Sequence, residues 1–585
     1  MAVLKLIGFV GENPKITPRL LGDMSAQMAY NVRLDDGALT PVRKKRFDYQ
    51  FADPPPGGYT TIYKDAGGWL GWAEDVYAVP GPVATDRLYI LGDGAPKMRV
   101  AGVIYPLAVP FPASALTATL GGTPTPGASG TTRLYVYTWV TSFGEESEPS
   151  PISADVFWTP GQTTTLSGFA SPPAGRSITL QRIYRAQTGK TGTQLYFIAE
   201  RAATNADFAD TVSPELLQEV LPSANWNAPP DDMTGLIALP NGMMAAFSGK
   251  QLCFCEPYRP HAWPESYRLT MDYDIVGLGA FSSSVIVTTK GTPYIVNGSA
   301  PENMTSERIE QNLPCINARG IVDLGYSVAY PSHDGLVQVT SSGAVVATTS
   351  IFSRDDWLRL NPYNMVADQY NGRYFTSFSY TDVTGTEFRG IFIIDLSGQQ
   401  AFLIRTDVQA EAMYYDLPTG QLYLLKDASV YEWDALSEPS ALLSWKSKLF
   451  VLPKPTNFGA ILVESDVALT PEQVAAIEAE IASLTAQNAA IFAQESIGGE
   501  IDGAALGEFA LNGDELLKVP TLSRNTSVSI YADRKLVATV GAVNRMARLP
   551  AGFLATLWEV EVSSDTSITQ ITLAGTGQEL AGVGA

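Results

Sequence analysis

Short runs of alternating apolar and polar residues, rich in Val, Ile, Tyr, Phe and Thr, recur along the chain between clusters of Gly, Pro, Asn and Asp. A period of two sends one face of an extended segment to a core and the other to solvent, so the pattern predicts strands joined by tight turns. In 1–116 the strand-like runs include Thr60–Tyr63, Trp69–Trp72 and Arg87–Leu91, with turns at Pro54–Gly58 and Gly92–Gly94. Residues 117–130 are small and polar and read as a linker. The stretch 131–225 reads as a separate β-sandwich with a strand at Leu134–Val140, a turn at Gly144–Ser150, a strand pair around Ile183–Arg185 and Leu195–Ile198, and a short helix at Ser213–Val220.

From 226 to 445 a hydrophobic strand followed by a Gly/Pro/Asp turn recurs near Phe254, Tyr294, Val337, Phe392 and Tyr431, at intervals of 40, 43, 55 and 39 residues. A four-stranded propeller blade occupies about 40–50 residues and buries its faces only against its neighbours. The spacing predicts about five blades, to which the strands around Tyr89 add one or two more. The fold expected is mostly β: a β-propeller with an inserted fibronectin-III/Ig-like β-sandwich at 117–225. A C-terminal β domain at 446–585 follows, with strands at Leu449–Leu452, Gly459–Val463, Val528–Ala532, Leu557–Val562 and Ile568–Leu573 and one long helix at about 470–497. A set of unrelated β-sandwiches fits the same texture.

The helix carries the clearest local signals. Thr470 can cap free amides, Pro471 fits the first helical position, Gln473 completes a capping box and Gly498-Gly499 ends the segment. Val474, Ile477, Ile481, Leu484, Asn488 and Ile491 follow at alternating intervals of 3 and 4, a heptad seam with Asn488 at an a position, where Asn fixes register and partner number. A single amphipathic helix lying on its own sheet explains the same spacing.

Composition narrows the function. The 585 residues hold 39 Lys+Arg against 60 Asp+Glu, a formal charge of −21 that disfavours tight binding to nucleic-acid phosphates. Between 461 and 517 there are eleven acids and no Lys or Arg. Glu472, Glu478, Glu480, Glu495, Glu500 and Asp502 form a candidate acidic wall, with a solvated surface as the plain alternative. The one dense basic run, Arg43, Lys44, Lys45 and Arg46, is a candidate contact patch for an acidic partner or passing nucleic acid, or simply a solvated strand end. Two His and three Cys supply neither a metal site nor a disulfide framework, and an odd Cys count fits a reducing compartment. No metal or other cofactor is expected. No apolar run reaches the roughly 20 residues that span a bilayer, and Met1–Val10 has no basic leader.

Catalytic patterns are weak. Gly189-Lys190-Thr191 lacks the upstream Gly of a phosphate loop, since Tyr184 stands there. Ser332-His333-Asp334 are adjacent in a turn and cannot converge as a relay. His261, between Pro260 and Pro264 beside Trp263, reads as a packed structural histidine. Asp35-Asp36-Gly37 reads as a hairpin turn, and Cys253 and Cys255 as buried thiols on one face of a strand. No catalytic residue is assigned, and the chain is not expected to be an enzyme.

Several phrases resemble tail proteins of short-tailed bacteriophages: Arg19–Asp23, Ala29–Val32 and Gly37–Arg43 at the start, Leu239–Met244, Glu256–Pro264 and Asp334–Val337 in the middle, Arg548–Phe553 and Trp558–Val562 at the end. The nearest fit is the tail nozzle, or tail tubular protein B, family. That resemblance implies a propeller-containing virion subunit, assembled in the host cytoplasm into a homohexameric ring below the portal and adaptor. Such a ring retains double-stranded DNA and then passes it without tight binding, and offers surfaces to tail fibres or tailspikes. The family has no catalytic residues to transfer. The alternative is a propeller that binds or cleaves glycans, which predicts a central pocket with converging carboxylates and aromatics.

Overall fold

A computed structural model describes residues 3–189, 192–213, 216, 218–381, 384–398, 401–465, 471–495 and 525–583. Small antiparallel sheets dominate it. Tyr77–Pro80, Arg87–Leu91, Lys97–Val100 and Val103–Pro106 form a four-stranded meander. Three more sheets with the same in-sequence strand order span 234–270, 275–308 and 322–346. A fifth set, Ala367–Tyr370, Arg373–Thr381, Glu387–Asp395 and Phe402–Thr406, repeats it. The sixth sheet takes Ala412–Asp416, Gln421–Lys426 and Ser429–Glu432 from one part of the chain and Arg46–Gln50 from its beginning. The hairpin Thr61–Asp65/Gly68–Trp72 is a seventh unit. Phe254, Tyr294, Val337, Phe392 and Tyr431, whose spacing drew attention in the sequence, each stand on the third strand of their sheet.

Neighbouring units share their cores. Met98 and Leu91 of the 77–106 sheet pack with Met244 and Cys253 of the next. Phe254 then packs with Val285 and Val287, Ile286 with Val337 and Val339, and Leu336 with Tyr374 and Phe392. Ile393 lies in one cluster with Leu422 and Leu424, and Leu425 with Ile62 of the hairpin. Trp72 and Tyr63 of that hairpin pack on Leu88 and Ile90 of the first sheet, so the series of contacts returns to its start. Each unit buries its faces on two neighbours, and a lone meander of this size is not stable by itself.

The first strand of each unit touches the first strand of the next, which forces small residues where backbones run close. A Cβ on Gly279 would lie 2.6 Å from Val328, and one on Gly277 would lie 2.4 Å from Ile321.

Two sandwiches are attached. In the inserted one, Thr117–Gly122, Gln162–Ser167 and Phe208–Asp210 form one sheet, and Tyr135–Thr141, Ile178–Gly189 and Gly192–Ala202 another. The supposed linker therefore begins as a strand: Leu116 and Ala118 reach the core, while Gly121 and Gly122 complete the pairing through backbone alone. The helix expected at 213–220 falls partly on residues outside the described set, and 218–220 are not helical.

The second sandwich corrects the expected boundary between 1–116 and 446–585. Val3–Leu6 lies between solvent and Gln570–Ala574, which also pairs with Ala460–Glu464. Ala26–Tyr30 pairs with Leu443–Ser447, which pairs with Ala555–Ser564. The same Ala26–Tyr30 strand meets the fifth sheet in parallel at Tyr30 and Arg405. Hydrophobic pattern identifies these strands but carries no partner information, so it assigns 1–116 and 446–585 to different domains. Trp445, Trp558, Val560 and Ile571 are fully buried in the shared core.

Replacing Gly279 with Val is expected to destabilise the protein by about 1–3 kcal/mol through overpacking, without loss of secondary structure. Urea unfolding followed by tryptophan fluorescence measures it.

Candidate functional site

The turns that lead into the first strands gather around Arg319. Asn317 caps the short helix Ala318–Gly320 by accepting from the Arg319 amide at 3.0 Å. Its Nδ2 donates to the carbonyls of Pro362, at 3.1 Å, and Met365, at 2.6 Å, so one buried amide clamps two turns together. Asn361 precedes them with φ of 56°, a left-handed conformation that Asn tolerates, and Pro362 then sets the first position of the turn Pro362–Asn364.

Arg319 reaches across to two other units. Its Nη2 donates to the carbonyls of Thr60, at 2.8 Å, and Glu411, at 2.6 Å, and its Nε lies 3.4 Å from Asp75. Burial pulls the guanidinium's pKa down and Asp75 opposes that pull. A cavity of about 490 Å³ opens here, lined by Arg319, Asn361, Asn364, Ser379, Gln409 and Glu411 among others. Two further cavities, of about 440 and 210 Å³, share Thr60 and Arg319 with it. The carboxylates at the site are engaged: Glu411 takes Lys426 at 2.7 Å and Asp75 takes Arg319. Nothing in the sequence singled out Arg319 or Asn317; the signal present was Asn361-Pro362, a turn dipeptide.

A second charged locus joins the inserted sandwich to the repeated sheets. Glu145 is buried between them, 3.8 Å from Arg87, with Thr141 donating to its other oxygen. Glu146 accepts from Thr138, Tyr184 and Arg182 at 2.6–2.8 Å. His261 is buried with Nε2 3.2 Å from the Glu146 carbonyl, and burial drives its pKa down to about 3, so it stays neutral. Burial pushes the Glu145 carboxyl up to about 7, against the pull of Arg87, Thr141 and Arg259.

The residues singled out from sequence stand as follows. The long helix runs Pro471–Glu495, and 470, 496 and 497 lie outside the described residues. Ile481, Leu484 and Asn488 are half-buried while 482, 483, 485–487, 489 and 490 are exposed, so the described part of the seam differs from its flanks. The side chains of Val474, Ile477 and Ile491 lie outside the described set, as do those of Glu472, Glu478 and Glu495 and the whole of Glu500 and Asp502. Glu480 is exposed. Two side chains of the basic run are engaged, Arg46 Nε donating to Glu432 at 3.1 Å and Lys45 lying 3.7 Å over the Tyr431 ring, while Arg43 and Lys44 bond Asp434 and Pro439 through their backbone amides and Lys44 is exposed. Ser332 and His333 do not form a relay: His333 Nδ1 lies 3.1 Å from the Tyr363 hydroxyl. Among the described residues no His/Cys/Asp/Glu group has the arrangement to hold a metal, and no helix is long and apolar enough to cross a membrane.

No protein-family model and no curated protein matches the chain. Among solved structures it is similar to the N-terminal domain of Nup159, at 9% identity and a TM-score of 0.23, over 45% of this chain and 68% of that one. It is also similar to the extracellular domain of the putative hybrid two-component system BT4673 from B. thetaiotaomicron. There the identity is 10%, the TM-score 0.22, and the match covers 72% of this chain and 56% of the other. Likenesses of this size leave the reading to the residues themselves.

Asn317→Ala strips two buried carbonyls of their donor and is expected to cost about 1–3 kcal/mol, read by chemical denaturation. Glu145 gives a pH dependence of definite sign. Its folded pKa is raised above the usual carboxylate value, so its contribution is most favourable at low pH and is lost as pH rises through about 7. Glu145→Gln is expected to remove part of the fall in melting temperature that the native protein shows between pH 5 and 7, by calorimetry at the two pH values.

Proposed function

We propose that the seven units form a β-propeller and that the chain is a bacteriophage tail nozzle. In this reading it is a virion structural subunit that assembles as a homohexameric ring below the portal and adaptor and passes the genome. The observation that carries the reading is the division of labour in the chain. The repeated sheets share cores with one another and with the second sandwich, while the helix Pro471–Glu495 keeps its described flanks exposed and offers a heptad seam. A helix with that seam is suited to a second copy.

Charge supports the same reading. A channel that releases DNA must not hold its phosphates, and tight binding needs free Lys and Arg. The basic run 43–46 spends Arg46 on Glu432 and Lys45 on Tyr431, and the net charge is −21. An acidic wall repels phosphate and lets DNA slide. The resemblance of Arg19–Asp23, Ala29–Val32 and Gly37–Arg43 to tail-protein openings adds to this; Tyr30 and Arg43 among them sit where the fifth and sixth sheets meet the second sandwich.

Mass photometry and negative-stain electron microscopy of the purified chain test the proposal. The expected result is a hollow ring of six 62.8 kDa subunits. A stable monomer under all assembly conditions, with no ring in virus particles, overturns it. Within the ring, Asn488→Ile is expected to change the copy number or broaden its distribution, read by the same mass measurement; an unchanged mass removes the seam from the assembly.

A further inference from the structure

The cavity beside Arg319 has a lining that the nozzle reading does not use. The side chains of Asn361, Asn364, Gln409 and Ser379 line it and make no hydrogen bond among the described residues. The Nη1 of Arg319 is in the same condition, its Nη2 and Nε being occupied. These groups are half-buried or exposed, open to the cavity. Charge is already balanced: Arg319 is matched by Asp75, Arg389 by Glu387 and Lys426 by Glu411. An anionic ligand such as a phosphate would have to break those pairs.

What remains is three amides, one hydroxyl and a guanidinium edge. An amide carries a donor and an acceptor side by side, which matches a pair of vicinal hydroxyls, each of which also donates and accepts. An aromatic platform adjoins them. Tyr363 lines the neighbouring cavity, is half exposed, and is oriented by the contact from its hydroxyl to His333. Tyr59 lines the main cavity, with its hydroxyl tied to the Asp53 carbonyl. The volume of about 490 Å³ lies in the range of small-molecule sites.

We propose that this cavity and the adjoining one of about 440 Å³, which share Thr60, Arg319 and Asn364, together bind a neutral saccharide, its hydroxyls held by Asn361, Asn364 and Gln409 with Arg319 Nη1 in the first and a sugar face against Tyr363 in the second. The proposal is independent of the nozzle reading and requires no bond cleavage. Asn317 is a positioning residue for it, since it sets the two turns that carry Arg319 and Asn364.

The test uses the full chain with three probes, cellotriose, maltotriose and triacetylchitotriose, followed by saturation-transfer NMR and titration calorimetry. Binding of at least one is expected. Asn364→Ala and Gln409→Ala, both exposed, are each expected to weaken it about tenfold, the worth of one good polar contact, with an unchanged melting temperature. Tyr363→Ala is expected to abolish the NMR transfer to ring C–H protons, a readout that a purely structural role would not move. No transfer from any of the three at about 10 mM, weaker than ordinary specific binding, overturns the proposal. So does binding that the Asn364→Ala/Gln409→Ala double variant leaves intact. A short single-stranded oligonucleotide is the anionic control, and its competition for the same site would also overturn it.

Discussion

Everything in the molecule depends on one backbone pairing, that of Arg46–Gln50 with Ser429–Glu432. The sixth sheet has only three strands from its own stretch of chain, and without the fourth its outer edge would stand open. Edges of that kind are templates for unwanted pairing. The early strand covers it and ties the beginning of the chain to the last sheet of the series. Arg46 to Glu432 and Lys45 over Tyr431 then fasten the side chains across the same joint.

The second constraint is the burial of polar groups. Asn317, Arg319 and Glu145 all sit where separate units meet, and each is held by hydrogen bonds or an opposing charge. Apolar contact joins the sheets along their length but does not fix how the connecting turns face each other. Directional bonds do that, because an unpaired buried donor costs more than a paired one returns. The polar residues of the connecting turns therefore define the shape of the cavity, and the apolar interfaces define its walls.

Much of the fold could be read from sequence, and the reason is local. A strand's third position in a meander repeats its hydrophobic signature, so Phe254, Tyr294, Val337, Phe392 and Tyr431 marked five successive sheets. The long helix was legible because Pro at a first helical position is a local signal, and the helix runs from Pro471. Pairing across the chain was not legible: nothing in Val3–Leu6 says that it lies beside Gln570–Ala574. Gly121-Gly122 hid a strand, since backbone pairing needs no side chain. The cavity was also invisible, because Asn317 and Arg319 are ordinary surface types until the turn at Pro362 is brought against them.

The pairing of Gln50 with Ser429, and of Val3 with Ala574, has a temporal side. A ribosome delivers each of these early strands well before its partner. While the intervening sheets emerge, Arg46–Gln50 waits without its neighbour, and Val3–Leu6 waits longer still. Contacts so distant along the chain form slowly, and unpaired strands held in waiting are the species that aggregate or exchange between copies. The order of synthesis thus gives the unfinished chain a choice between closing on itself and closing on another copy, and local concentration decides which comes first.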